Sequence, residues 1–159
     1  RYLLIVVSAS LIDKIYSPLF YITTYPVYWI LDIFYTVSVN GNSLMIYGKE
    51  IAIIKACLGG SAILLLMILN LATPSIKVKK RAAIFVFGVS SFLVFNWVRI
   101  LILSYLFLND KIIFAQIHRF SWYFVSALAV ILIWFASVKF LKIKEIPFIS
   151  DLNYIIKRK

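Results

Sequence analysis

The chain has 159 residues, of which 64% are hydrophobic and only 14% charged, and its mean hydropathy is +0.99. Soluble domains carry about 45–50% apolar and about 25% charged residues, so a water-surrounded core is excluded and the solvent must be lipid. The net charge of +11 does not make it a nucleic-acid binder, because the basic residues cluster just outside apolar runs and do not form one basic face interleaved with stacking aromatics.

Residues 1–16 read as the end of a helix, with an apolar run from Tyr2 to Ile12 closed by Asp13-Lys14. A run of eleven residues is short for a span, and the chain lacks an initiator Met, so the start of this helix is expected upstream. Ser17-Pro18 is expected to break it, because proline cannot continue a helix and restricts the residue before it. Residues 18–38 are apolar but dotted with Thr23, Thr24, Pro26, Asp32 and several aromatics. That composition fits a helix lying in the membrane interface, with a full span as the alternative.

Val39-Asn40-Gly41-Asn42-Ser43 is a turn signal, and two short β-prone runs around Gly48-Lys49 read as a hairpin over 43–54. Three spans follow, at 57–73, 82–108 and 112–138. The first stops at Thr73-Pro74 and is separated from the second by Lys77, Lys79, Lys80 and Arg81. Asn109-Asp110-Lys111 turns the chain into the third, and 139–159 is a basic tail. Placing the basic loop and tail in the cytoplasm puts most of the 17 basic residues inside, as topology-setting charges require. The expected fold is an all-α polytopic membrane protein in one domain over 1–159. It is a transmembrane helix bundle with a short extracytoplasmic β-hairpin and an interfacial helix, in the plasma membrane, with the C-terminus cytoplasmic.

Three chemistry-bearing residues reach one depth. At about 1.5 Å per residue, Arg99 lies roughly 27 Å above Arg81, His118 roughly 31 Å above Lys139, and Cys57 at most roughly 30 Å above Lys77. Taken singly, each has an ordinary structural reading. A lone membrane cysteine is usually a small apolar filler, and a histidine opening a helix is usually an interfacial polar group. An arginine inside an apolar run costs at least ~2.5 kcal/mol on insertion scales, which makes it a functional candidate unless it snorkels to the headgroups. Together at one level they make a site. Asn96, three residues before Arg99, shares its helix face and is expected to hold it by a hydrogen bond. Gly59 and Gly60 beside Cys57 allow close backbone approach. One cysteine excludes an intramolecular disulfide. One Cys and one His fall short of three zinc ligands, so neither metal nor cofactor is expected.

The chain resembles the exosortase/archaeosortase membrane transpeptidases over roughly Asn40 to Trp134. The resemblance is carried by Asn40-Gly41-Asn42, by Lys55-Ala56-Cys57-Leu58-Gly59-Gly60-Ser61, by Asn96-Trp97-Val98-Arg99 and by His118. The family signature is a cysteine in an Ala-Cys-x-Gly setting, then Asn-x-x-Arg, then a histidine, in that order. Leu58 departs from it, since serine is common there, as does Gly60-Ser61, where bulkier or charged residues are frequent. The small size and the Lys/Ile-rich sequence look more like a reduced archaeal-type branch. The resemblance implies a cysteine peptidase/transpeptidase with Cys57, Arg99 and His118 catalytic and Asn96, Gly59 and Gly60 supporting. Its partners would be the C-terminal sorting signals of exported proteins, each a short motif, a transmembrane helix and a basic tail. Cleavage would occur at the outer membrane face, with a membrane lipid as acceptor and no nucleic acid involved. A competing reading is a non-catalytic scaffold or transporter subunit that binds anionic lipid through Arg99. A pore is disfavoured, because no helix face carries repeated polar residues.

Overall fold

The computed structural model describes residues 12–73 and 76–141. The expected start of the first helix, Pro74 and the basic tail from residue 142 onward lie outside the described residues.

Helix α1 runs Ile12–Asp32 straight through Pro18 and Pro26. The expected break at Ser17-Pro18 is therefore corrected. An interior proline costs roughly 3 kcal/mol because it removes a backbone donor and crowds the preceding turn, and here tertiary packing outweighs that cost. Leu19, Val27 and Leu31 are buried against the sheet and a later helix. The Trp97 indole donates at 3.1 Å to the Ile22 carbonyl, the oxygen four residues before Pro26 that an ordinary helix would bond to the missing N–H. The helix ends at Asp32, and the Asp32 carboxylate accepts from the Val37 amide at 3.3 Å as the chain turns into a strand.

The expected hairpin over 43–54 is a three-stranded antiparallel sheet in the order β1 (Val37–Asn40), β2 (Ser43–Ile46), β3 (Lys49–Ala52). Val39 pairs with Leu44, and Leu44 with Ile51. The additional strand straddles the end of the 18–38 stretch and the start of the turn signal at Val39–Ser43. Tyr47 and Gly48 both have positive φ (49° and 75°) and close the β2–β3 connection in the two-residue turn that matches strand twist. One sheet face carries Val37, Leu44 and Ile46, all buried with Leu19, Val27, Leu31 and Ile100 in the first core.

A 3-10 turn at Lys55–Leu58 follows, then α2 at Gly60–Ala72. The expected span at 57–73 is thus shortened to a 13-residue helix, below the ~20 residues a span needs. Gly59, at φ 73°, separates the turn from the helix. At its far end α2 is clamped by Arg81, which donates to the carbonyls of Asn70 and Thr73, while the Asn70 amide donates back to the Arg81 carbonyl at 3.0 Å. The clamp satisfies carbonyls that a helix terminus leaves unpaired.

Helix α3 spans Val78–Asn109, and α4 (Lys111–Phe120) continues through a π turn (Ser121–Val125) into α5 (Ser126–Phe140). α3 and the rod Lys111–Phe140 are long and apolar enough to cross a membrane. Both exceed the expected 82–108 and 112–138, because hydropathy stops at the flanking lysines and arginine whereas helix propensity does not. Asp110 caps α4, accepting from Ile112 and Ile113 amides at 2.8 and 3.0 Å. A second core of Leu66, Phe92, Val130, Trp134 and Val138 joins α2, α3 and α5.

Candidate active site

The cysteine stands where a strand is converted into a helix. Ile54 is still extended, and the Cys57 amide donates to the Ile54 carbonyl at 2.8 Å, which closes the first turn. Gly59 then takes the left-handed conformation that a side chain resists. A Cβ at Gly59 would overlap the Phe92 ring, and one at Gly60 would lie 2.9 Å from the Tyr16 ring. The two glycines therefore let the turn sit directly on α3 and α1.

Arg99 reaches this turn from α3 and His118 from α4. Cys57, Arg99 and His118 line one cavity of about 60 Å³, with Ile54, Ala56, Leu103 and Trp122 completing its wall. That volume holds a few water-sized groups. Ile54 and Ala56 also line a wider cleft of about 940 Å³ between α1 and the sheet, walled by Tyr16, Phe20, Tyr21 and Tyr25. His118 is oriented by stacking on Phe114 (centroids 5.3 Å apart, planes at 22°), and Phe114 is braced edge-on by Phe107.

Asn96 is fully buried, and its side-chain amide donates at 2.8 Å to the Cys57 carbonyl. The expected Asn96–Arg99 hydrogen bond is corrected accordingly: the amide reaches across to the peptide of Cys57. Its Oδ1 and the Arg99 Nε are both buried without a hydrogen-bond partner. An arginine terminal nitrogen, Nη1, instead donates to Ser126 Oγ, and that hydroxyl donates at 3.0 Å to the Ser121 carbonyl. Ser121, Trp122 and Ser126 escaped the sequence reading. A serine in an apolar helix carries no local mark, and a π turn has no sequence signature.

Cys57 lies on the 3-10 turn, outside the two membrane-length helices, and it is a free thiol. Burial pushes its pKa up, and a backbone hydrogen bond at Ile54 and the Arg99 guanidinium pull it part of the way back. The resting group is therefore a thiol near neutral pH, and it shares its cavity with one cation and one imidazole. Among the described residues no group of three His, Cys, Asp or Glu is close enough to hold a metal ion.

A family model described as transmembrane exosortase matches residues 2–135, most of the chain. No curated protein and no solved structure matches it.

Proposed function

The chain belongs to the transmembrane exosortase family, and from that premise we propose that it is a membrane-embedded cysteine transpeptidase with Cys57, His118 and Arg99 as its catalytic residues. The observation that carries the proposal is their convergence, from three separate helical elements, on a single 60 Å³ cavity. A family match alone would not require it.

The chemistry follows from the three groups. A neutral thiol attacks a peptide carbonyl poorly and a thiolate attacks it well. His118 takes the Cys57 proton as sulfur bonds to the carbonyl carbon, and the C=O electron pair moves onto oxygen. Arg99 stabilises that oxyanion, and its unpartnered Nε is a donor already desolvated and in place. Collapse breaks the C–N bond, and His118 returns the proton to the leaving amine. The acyl group is then a thioester on Cys57. A hydroxyl or amine of a membrane acceptor attacks the thioester carbon and loses its proton to His118; the C–S bond then breaks, and His118 returns that proton to the sulfur, regenerating the thiol. The substrate is the C-terminal sorting signal of an exported protein, and the site faces the extracytoplasmic side. The apolar surroundings of the cavity suppress hydrolysis and so favour transfer over release.

The test is co-expression with exported membrane proteins that end in a transmembrane helix and basic tail, followed by mass spectrometry of their C-termini. Wild type should yield shortened chains carrying an acceptor. Cys57→Ala should leave the precursors intact while the enzyme still inserts in the membrane. Unchanged processing by Cys57→Ala would overturn the proposal.

A further inference from the structure

Ser126 stands between the catalytic arginine and an irregular stretch of helix. The π turn at Ser121–Val125 ends with the Ser126 amide donating to the Ser121 carbonyl, five residues back. The Ser126 hydroxyl donates to the same carbonyl at 3.0 Å. A serine hydroxyl has one proton and two lone pairs. With its proton committed to Ser121, Oγ can only accept toward a third partner, and that partner is Arg99 Nη1. The polarity of the chain is therefore fixed: guanidinium to hydroxyl to carbonyl. π turns occur mostly as single-turn bulges in α-helices and frequently at functional sites. This one also supplies Trp122 to the wall of the thiol cavity and buries Ser121.

We infer that Ser126 is the positioning residue for Arg99, holding one terminal nitrogen so that the rest of the guanidinium is presented to Cys57 and the reacting carbonyl. The inference rests on the catalytic reading of Arg99 given above. It adds a residue that touches neither the thiol nor the substrate. An arginine has a long, rotamer-rich side chain, and in this cavity no carboxylate from the described residues anchors it. A single neutral acceptor, itself pinned by a carbonyl, supplies the orientation without neutralising the charge.

Among the described residues, Arg99 on α3 and His118 on α4 line the cavity of the thiol, and Lys55 on the turn itself lies over the ring of Tyr16 on α1, which packs against the same core as Cys57. Cys57 is the only cysteine in the chain, so its alkylation by iodoacetamide reports on this site alone. The experiment measures the alkylation rate against pH in the full-length protein in membranes, for wild type, Arg99→Ala, Ser126→Val and Ser126→Thr. Val and Thr have the same shape and differ in the hydroxyl, so a packing effect appears in both and a hydrogen-bond effect only in Val.

Removing a nearby opposite charge moves a titrating group by about 1 unit or more, so Arg99→Ala should raise the midpoint by that order. Ser126→Val should raise it part of the way, by roughly half a unit or more, while Ser126→Thr restores the wild-type profile. A shift in Arg99→Ala with wild-type behaviour in Ser126→Val would overturn the positioning role and leave the catalytic site standing. Equal shifts in Val and Thr would overturn it in favour of packing. No shift in Arg99→Ala would show that the guanidinium is not presented to the thiol and would overturn the positioning role, while the processing test of Cys57→Ala decides the catalytic reading separately.

Discussion

The side-chain amide of Asn96 donates a 2.8 Å hydrogen bond to the main-chain carbonyl of Cys57. The bond ties the middle of α3 to the peptide of Cys57, so the Asn and the Arg of the Asn-x-x-Arg motif have different partners. Asn96 holds the backbone, and Arg99 lines the cavity that the thiol also lines. Replacing Asn96 by Leu removes the donor and leaves a buried carbonyl unpaired, which costs about 1–3 kcal/mol. The expected outcome is a lower unfolding temperature in detergent together with slowed processing. Asn96→Asp should be at least as damaging, because it introduces a buried carboxylate with no proton to give. Thermal unfolding of the two variants beside wild type checks both.

Gly59→Ala tests the seat of the turn. A left-handed alanine costs about 1–2 kcal/mol, and its methyl would also overlap the Phe92 ring. Gly59→Ala should therefore destabilise by more than the backbone term alone. Adding Phe92→Leu should recover part of the loss, since only the steric share is relieved. A double variant no better than the sum of the two singles would place the whole effect in the backbone.

The thiol predicts a pH dependence of stability with a definite sign. Burial raises the folded-state pKa of Cys57 above the free-thiol value of about 8.5. Below that pH both folded and unfolded chains keep the proton and Cys57 contributes no slope. Above it the unfolded chain gives up its proton first, so the folded state binds more protons and its stability falls as pH rises. Chemical unfolding followed from pH 7 to pH 10 should show this decline in wild type and a smaller one in Cys57→Ala. Alkylation at pH 7 should likewise be slower than for a free thiol.

Trp97 and Pro26 form a compensated pair. The indole donates to the Ile22 carbonyl, whose usual partner would be the amide that Pro26 lacks. Trp97→Phe should cost on the order of 1 kcal/mol for the lost hydrogen bond, in addition to any change in packing. In a Pro26→Ala background the carbonyl regains an intrahelical donor, and the same substitution should cost less. A double-mutant cycle on unfolding free energy measures the difference. Equal costs in the two backgrounds would show that the indole acts by packing alone.

What the sequence discloses here depends on how far each signal travels along the chain. The depth of Cys57, Arg99 and His118 follows from counting residues at a fixed helical rise, and the structure gathers all three at one cavity. Counting works for Arg99 and His118 because α3 and the rod after Asp110 are nearly uninterrupted helix. It works less well for Cys57, whose helix begins only at Gly60, after a 3-10 turn that hydropathy cannot distinguish from the first turn of a span. β1 was concealed because Val37 and Val39 prolong an apolar stretch that already contained a helix. Pro18 misled in the other direction, since the helix runs through it as it does through Pro26; at Pro26 the freed Ile22 carbonyl is met by a donor 75 residues away in sequence. The partners of Asn96 and Arg99 are illegible for the same reason: the Cys57 carbonyl and the Ser126 hydroxyl are set by how helices meet.

The shortness of α2 has a consequence for the surrounding lipid. Thirteen residues rise about 20 Å, against about 30 Å of hydrocarbon, while the neighbouring α3, at 32 residues, overshoots it. The described helices are thus of unequal apolar length, and the short one begins just after the thiol. A bilayer meeting such a step thins toward it. Thinning would bring headgroups down toward the cysteine, so a polar acceptor could arrive from the interface without crossing the full depth of the acyl chains.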